Sequence, residues 1–143
     1  MRLILVNRSI KTAVSLKNGE MEIYMEKMII NGVTYVREDE VTCMAEKVEG
    51  MQFCIIRTYS AGVHAGYVKS RDGKEVTLAN ARRLWKWAGA FTLSALAVKG
   101  SENETECRFS CTVPEIILTE AIEIIPCTQV GKESIMRVKD YEC

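Results

Sequence analysis

Histidine occurs once in this sequence, at His64, and proline twice, at Pro114 and Pro126. One imidazole does not make a zinc site, which takes four clustered ligands. It makes a nucleophilic centre only with a hydroxyl and an orienting carboxylate in reach. Ser60 has the right parity, but the stretch around it holds no acid, and Asp72 lies beyond the next turn. Neither a catalytic set, a metal site nor a cofactor is therefore predicted. The chain also lacks a P-loop and a G-x-G-x-x-G fingerprint, two common ways of cradling phosphate. No apolar run approaches the roughly 20 residues that cross a bilayer, so no membrane span is expected. Net charge is zero, which suits a duplex nucleic-acid binder poorly, because such affinity comes from many phosphate contacts. Glu38, Asp39 and Glu40 read as a solvated charge run rather than a hydrolytic carboxylate pair.

Six cysteines are present, Cys43, Cys54, Cys107, Cys111, Cys127 and Cys143. An even count suggests a disulfide framework in a small secreted chain. The opening "MRLILVNRSI" breaks its apolar run at Asn7 and Arg8, too early for a secretory leader. A cytosolic chain with reduced thiols is expected, with Cys107 and Cys111 of "CRFSC" on one face of a strand. Charge is unevenly spread: Arg57 to Lys86 holds seven basic and two acidic residues, whereas residues 101 to 143 hold nine acidic and four basic. A basic centre in a neutral chain suits a small anion.

The length of 143 residues and the order of periodic segments predict one α+β domain, an antiparallel β-sheet with short helices packed on one face. Residues 1–50 supply an N-terminal strand and hairpin, and residues 51–139 the core. "RLILVNR" reads as a strand and "EIYMEKMIINGVTYVRED" as a hairpin turning at Asn31-Gly32. "MQFCIIRTY", "GVHAGYVKS" and "KEVTL" form a meander, with "RDG" as its second turn. From Leu78 the period becomes helical: Ala81, Leu84, Trp85, Ala88 and Phe91 share a stripe, Asn80 is its N-cap, Gly89 divides it into two helices, and Gly100 ends the second. "CRFSCTV" and "IILTEAIEIIPCT" return to strands, with Pro114 at the entry and Pro126 near the exit, and residues 129–139 form a last helix.

Two stretches carry candidate binding groups. In "RTYSAGVHAG", Arg57 follows "FCII" and should end a buried central strand, where a guanidinium requires an anion or a carboxylate. Thr58, Ser60 and loop N–H groups can point at the same anion, with His64 giving at most a supporting hydrogen bond. The alternative is a plain hairpin with Arg57 paired to one of the C-terminal glutamates. In "NARRLWKW", a helix would place Arg82 with Lys86 and Arg83 with Trp87. That set of phosphate forks and a stacking ring would hold a nucleotide. Trp85 is the better core candidate and Trp87 the better stacker. Both can equally be core residues flanked by solvated arginines.

The run "IIRTYSAGVHAGYVKSRDGKEVTLANARRLWKWAGAFTLSALA", with "FSCTVPEIILTEAIEIIPCT" after it, resembles a small domain common in phage and prophage genomes. It is similar also to the first family of Thoeris anti-defence proteins, viral sponges that bind cyclic ADP-ribose isomers made by TIR proteins without cleaving them. The resemblance spans about residues 52–139. It implies a homo-oligomer built from dimers, pockets at subunit interfaces, separate sites for cyclic oligonucleotides in some members, and action in the cytoplasm of the infected bacterial host. Carried onto this chain, it places ligand contacts on Arg57 and its loop, on Asn80 to Trp87, and on the strand around Arg108 of a neighbouring subunit. A non-enzymatic nucleotide sponge is the first expectation. A protein-binding inhibitor or structural phage protein using the basic-aromatic segment, and a small hydrolase using His64, are the alternatives.

Overall fold

The structure is a computed structural model that describes residues 3–5, 27–30, 33–37 and 43–141. Two units divide the chain after Thr42. In the first, β1 (Leu3–Leu5), β2 (Lys27–Ile30) and β3 (Val33–Arg37) form an antiparallel sheet in the order β1-β3-β2. Ile30 pairs with Val33, so the expected hairpin is present. Asn31 and Gly32 lie outside the described residues, as do Asn7, Arg8 and the Glu38–Asp39–Glu40 run.

The second unit carries β4 (Phe53–Thr58), β5 (Val63–Asp72), β6 (Glu75–Lys86), α1 (Leu93–Lys99), a 3-10 turn (Glu104–Glu106), β7 (Arg108–Phe109), β8 (Val113–Leu118), β9 (Ala121–Pro126) and α2 (Gln129–Arg137). Its six-stranded sheet runs β7-β6-β5-β4-β9, with β8 also on β6. The predicted meander is β4-β5-β6, and its second turn, Gly73-Lys74, uses a left-handed φ of 57° at Gly73. Only Thr119 and Glu120 separate β8, which pairs with β6, from β9, which pairs with β4. The sheet therefore curls until its two sides meet at that link.

Alternation along the strands sorts the core into two layers. Phe53, Ile55, Ala65, Tyr67 and Leu84 pack on one face against Leu96 and Ala97 of α1 and Ile135 of α2. Cys54, Ile56, Val76, Leu78 and Ala81 fill the inside of the curl with Leu118 and Ala121. The helices lie on one face, as expected. Each starts on a threonine cap: Thr92 accepts from the Ala95 N–H, and Thr128 from the Gly131 N–H. Gly131 lets α2 approach α1 closely, since a Cβ there would run into the Ala97 carbonyl. Gly100 ends α1, as its sequence position suggests.

The helix expected over Asn80 to Trp87 is absent, because β6 continues to Lys86. Two bulges disguised it. Opposite the single Gly66, β6 places both Asn80 and Ala81, with Asn80 at a φ of 47°. The inserted residue turns the inward spacing of two into one of three between Leu78 and Ala81, and Leu84, buried three residues on but on the helix side, extends the imitation of a helical stripe. A second inserted residue, Trp85, lies between the pairs Leu84–Phe109 and Lys86–Arg108. Asn80 is thus a bulge residue, a role that its tolerance of left-handed backbone explains. Gly89 lies in the connection before the single helix α1, not between two helices.

The cysteine expectation also changes. Cys43, Cys54, Cys107 and Cys127 are free thiols, but Cys111 is disulfide-bonded. An expected compartment does not determine which sulfurs a fold brings together. Cys107 closes the 3-10 turn and β7 is two residues long, so Cys107 and Cys111 do not share a strand face. Pro114, expected at the entry, is the second residue of β8, which among the described residues pairs with β6 alone and so can accommodate a residue with no N–H. Among the described residues no helix is long and apolar enough to cross a membrane.

Gly66 should be intolerant of any side chain. A Cβ there would lie 3.0 Å from both the Ala79 carbonyl oxygen and Ala81 Cα. Gly66→Ala is expected to cost about 1–3 kcal/mol, the usual range for overpacking, read as a lower midpoint in urea at unchanged m-value.

Candidate functional site

The loop between β4 and β5 spends its polar groups on its own chain. The Thr58 hydroxyl donates to the Gly62 carbonyl at 2.7 Å, and the Ser60 hydroxyl donates to Glu120 Oε2 at 2.6 Å. The Tyr59 N–H goes to the Glu120 carbonyl at 3.0 Å. Arg57 is not buried: its side chain is 56% exposed, and Nη1 lies 3.6 Å from Glu123 Oε2 of the neighbouring β9. Burial fades along its row, from Leu84 through the half-buried Val63 to Arg57. The alternative reading of Arg57, an ion pair with a C-terminal glutamate, is the observed one.

Arg57 and the pair His64–Arg83 lie on opposite sheet faces. Arg57 has the parity of Phe53 and Ile55, whereas His64 pairs across with Ile56 and Arg83. His64 is 1% exposed, and Nε2 accepts from Arg83 Nε at 3.2 Å. The ring is therefore neutral with its proton on Nδ1, a buried atom with no partner. Burial and, secondarily, the Arg83 charge push its pKa down to about 4. A base so enclosed has no access to a substrate.

Arg82, one residue away, faces the helices and is 3% exposed. Nε donates to the Ser110 carbonyl at 3.0 Å, Nη1 to the carbonyls of Ile135 and Val138 at 2.9 Å each, and Nη2 to Asp140 Oδ1 at 2.9 Å. The guanidinium also lies over the Phe109 ring, 5.4 Å from its centroid. It satisfies carbonyls that the end of α2 leaves open. Arg82 is committed to the fold, and the shared helical face expected for Arg82 and Lys86 does not exist. The tryptophans are exchanged as well: Trp85, bulged outward, is 76% exposed, while Trp87 packs against the core.

Arg108, among the predicted residues, lines a cavity. The cavity, of about 370 Å³, is bounded by Glu104, Thr105, Cys107 and Arg108 on one side and by Arg137 to Tyr141 on the other. Arg108 Nη1 donates to the carbonyls of Thr105 and Cys107 at 3.0 and 2.9 Å. Its guanidinium stands 4.9 Å from the centroid of the half-exposed Tyr141 ring. Two carboxylates reach this cavity and both are engaged: Glu104 with Arg137 at 2.8 Å and Asp140 with Arg82 at 2.9 Å. Arg108 and Lys139 have no carboxylate partner among the described residues. Arg108 also stands directly across from Lys86, a like-charge pairing that costs stability unless something negative intervenes. Glu106, 3.7 Å from Lys86, offsets part of it.

Sequence reasoning missed Lys139, Tyr141, Arg137 and Glu104. They lie in the acidic last third, whose net charge hides a local excess of cations. The signal available was "RVKDY", two cations and an aromatic ring just past a helix end. Among the described residues no cluster of three His, Cys, Asp or Glu side chains could hold a metal ion.

A family model described as a domain of unknown function, DUF6948, matches residues 51–135. Among curated proteins and solved structures nothing matches the chain.

Two measurements separate these roles. Arg82→Ala leaves three carbonyls without their donor while the half-exposed Asp140 returns to water, and it should cost about 1–3 kcal/mol, as for buried acceptors left unpaired, whereas Arg57→Ala should cost no more than about 1 kcal/mol. For His64 the unfolded chain, with an ordinary pKa near 6.5, binds the proton first. Its contribution to stability is complete above about pH 6.5 and is lost as pH falls towards the folded value of about 4. His64→Leu should flatten that part of the wild-type stability profile between pH 6.5 and 4 in chemical denaturation.

Proposed function

For a chain that belongs to the DUF6948 family of unknown function, we propose the role of a non-cleaving nucleotide sponge. It binds and sequesters a cyclic nucleotide immune signal, a cyclic ADP-ribose isomer or a cyclic oligonucleotide, in the cytoplasm of a phage-infected bacterium. The observation that carries this reading is Arg108, stacked on Tyr141 beside Lys139 at a cavity of about 370 Å³. Cations without carboxylates favour phosphate, and an aromatic ring within reach favours a base. The cavity volume falls within the range of small-molecule sites.

Sequestration rather than hydrolysis is supported by the state of His64, the only imidazole of the chain, which is neutral, buried and not among the residues that line the cavity. Arg137 and Tyr141, which line the cavity, are exposed, so a second subunit could cover a ligand held there. This supports a homo-oligomer with interface pockets. The protein-binding alternative draws on Trp85 and Phe91, which are 76% and 99% exposed.

A calorimetric and thermal-shift panel of cyclic ADP-ribose isomers and cyclic di- and trinucleotides tests the reading. A ligand present at 1,000 times Kd should stabilise the protein by about 4.1 kcal/mol and be recovered chemically intact after heat denaturation. Arg108→Gln should weaken binding at least tenfold, the loss of one charge-assisted contact. No binder in the panel, or a hydrolysed product, would end the sponge reading. Sedimentation of a strict monomer, with and without ligand, would remove the interface pocket.

A further inference from the structure

One wall of the same cavity carries a contact whose geometry suits competition with a ligand. The Arg137 fork grips Glu104: Nη2 donates to Oε1 at 2.8 Å, and Nε to Oε1 at 3.2 Å and to Oε2 at 3.4 Å. The Ser134 hydroxyl donates to the same Oε1 at 3.0 Å. This is the arrangement that a guanidinium offers to a phosphate, and it lines the cavity that Arg108 and Lys139 also line. Both partners reach solvent, Arg137 at 62% and Glu104 at 29% exposure, so separating them breaks a partly exposed pair and leaves the buried Ser134 hydroxyl without this acceptor. Glu104 sits on the 3-10 turn, whose Asn103 cap makes no side-chain capping bond. The carboxylate is thus held chiefly by the two side chains it touches.

We propose that Glu104 is a built-in competitor for the ligand, occupying the Arg137 fork in place of a phosphate group, and that Arg137 is a latent phosphate ligand. This rests on the nucleotide-binding reading and specifies the chemistry of its site. A ligand phosphate displaces the carboxylate from the fork while Arg108 and Lys139 bind its remaining charge. A monoanion gains little over the carboxylate that it replaces. A pyrophosphate or bisphosphate group, bearing two or more charges, meets all three cations and displaces Glu104. The site therefore selects pyrophosphate-bearing ligands by charge. The hydrogen bond from Arg137 lowers the pKa of the Glu104 carboxyl, so the competitor remains charged throughout neutral pH.

Titration of the full chain with inorganic pyrophosphate in a calorimeter tests the inference. Glu104→Gln keeps the side-chain shape but removes the competing charge, and it should tighten pyrophosphate binding by roughly threefold to fivefold, the worth of an exposed ion pair. Glu104→Asp, too short to fill the fork, should tighten it as well. Arg137→Gln should weaken binding, and Glu104→Gln added to it should produce no further gain. Glu106→Gln, which alters the same local charge away from the fork, should have a smaller effect. Melting curves taken alongside establish that each variant is folded. The inference is overturned if folded Glu104→Gln binds no tighter than wild type, or if its gain persists without Arg137. Absence of pyrophosphate binding in both wild type and Glu104→Gln overturns it too. If cyclic nucleotides bind while the pyrophosphate series fails, the competitor falls and the sponge stands. If the pyrophosphate series succeeds while no cyclic nucleotide binds, the sponge falls and the anion site remains.

Discussion

A guanidinium taken out of water is costly unless every donor finds an acceptor. At Arg82 four acceptors come from three places: Ser110 beyond β7, Ile135 and Val138 at the end of α2, and Asp140 in the segment after it. The chain ends up with β6, β7 and the exit of α2 tied through one side chain. The wall bearing Lys139 and Tyr141 is held by this tie, with the Tyr141 N–H bonded to the Phe109 carbonyl at 2.9 Å. Arg82 does not itself line the cavity, yet the cavity exists where it does because the wall is anchored there.

The bulge at Asn80 decides which of two consecutive arginines has this role. A strand shifted by one residue exchanges its faces. Without the inserted residue, Arg83 would take the helix side and Arg82 would turn toward His64. The inserted Lys69 on β5 restores the register further along, since Ser70 pairs with Thr77 and Asp72 with Glu75. Gly66 is the matching concession on the partner strand, a position with no room for a Cβ. Local backbone geometry thus sorts adjacent, chemically identical side chains into a structural tie and a surface cation.

Charge shows a similar separation between composition and place. The last third of the chain is acidic in total, but its carboxylates are dispersed: Glu120 holds Ser60, Glu123 faces Arg57, and Glu115 pairs with Lys69 at 2.6 Å. Around Arg108 the cations gather instead. Interaction between exposed charges falls off over about 8–10 Å in salt, so a ligand responds to this local group and not to the net charge of the segment.

Periodicity and turn chemistry by themselves determined the α+β class, the β4-β5-β6 meander, the N-terminal hairpin, the final helix and the Gly100 stop. Each depends on residues close in sequence, where side-chain spacing is set by backbone geometry. Of the candidate residues, Arg108 was named only through the family resemblance, as a contact from a neighbouring subunit, and it lines a cavity of its own chain. Arg57, Thr58 and Ser60 are engaged in contacts with their own chain, and Trp85 and Trp87 have exchanged places. Those outcomes belong to tertiary structure. An inserted residue leaves no mark in composition and changes the apparent period, so β6 reads as a helix until its partners are known. The burial of Arg82 and the exposure of Arg57 depend on where the helix layer lies over the sheet. The assembly of Arg108, Arg137, Lys139 and Tyr141 depends on a chain reversal that brings the end of α2 back to β7, and no pattern local to either segment encodes that contact.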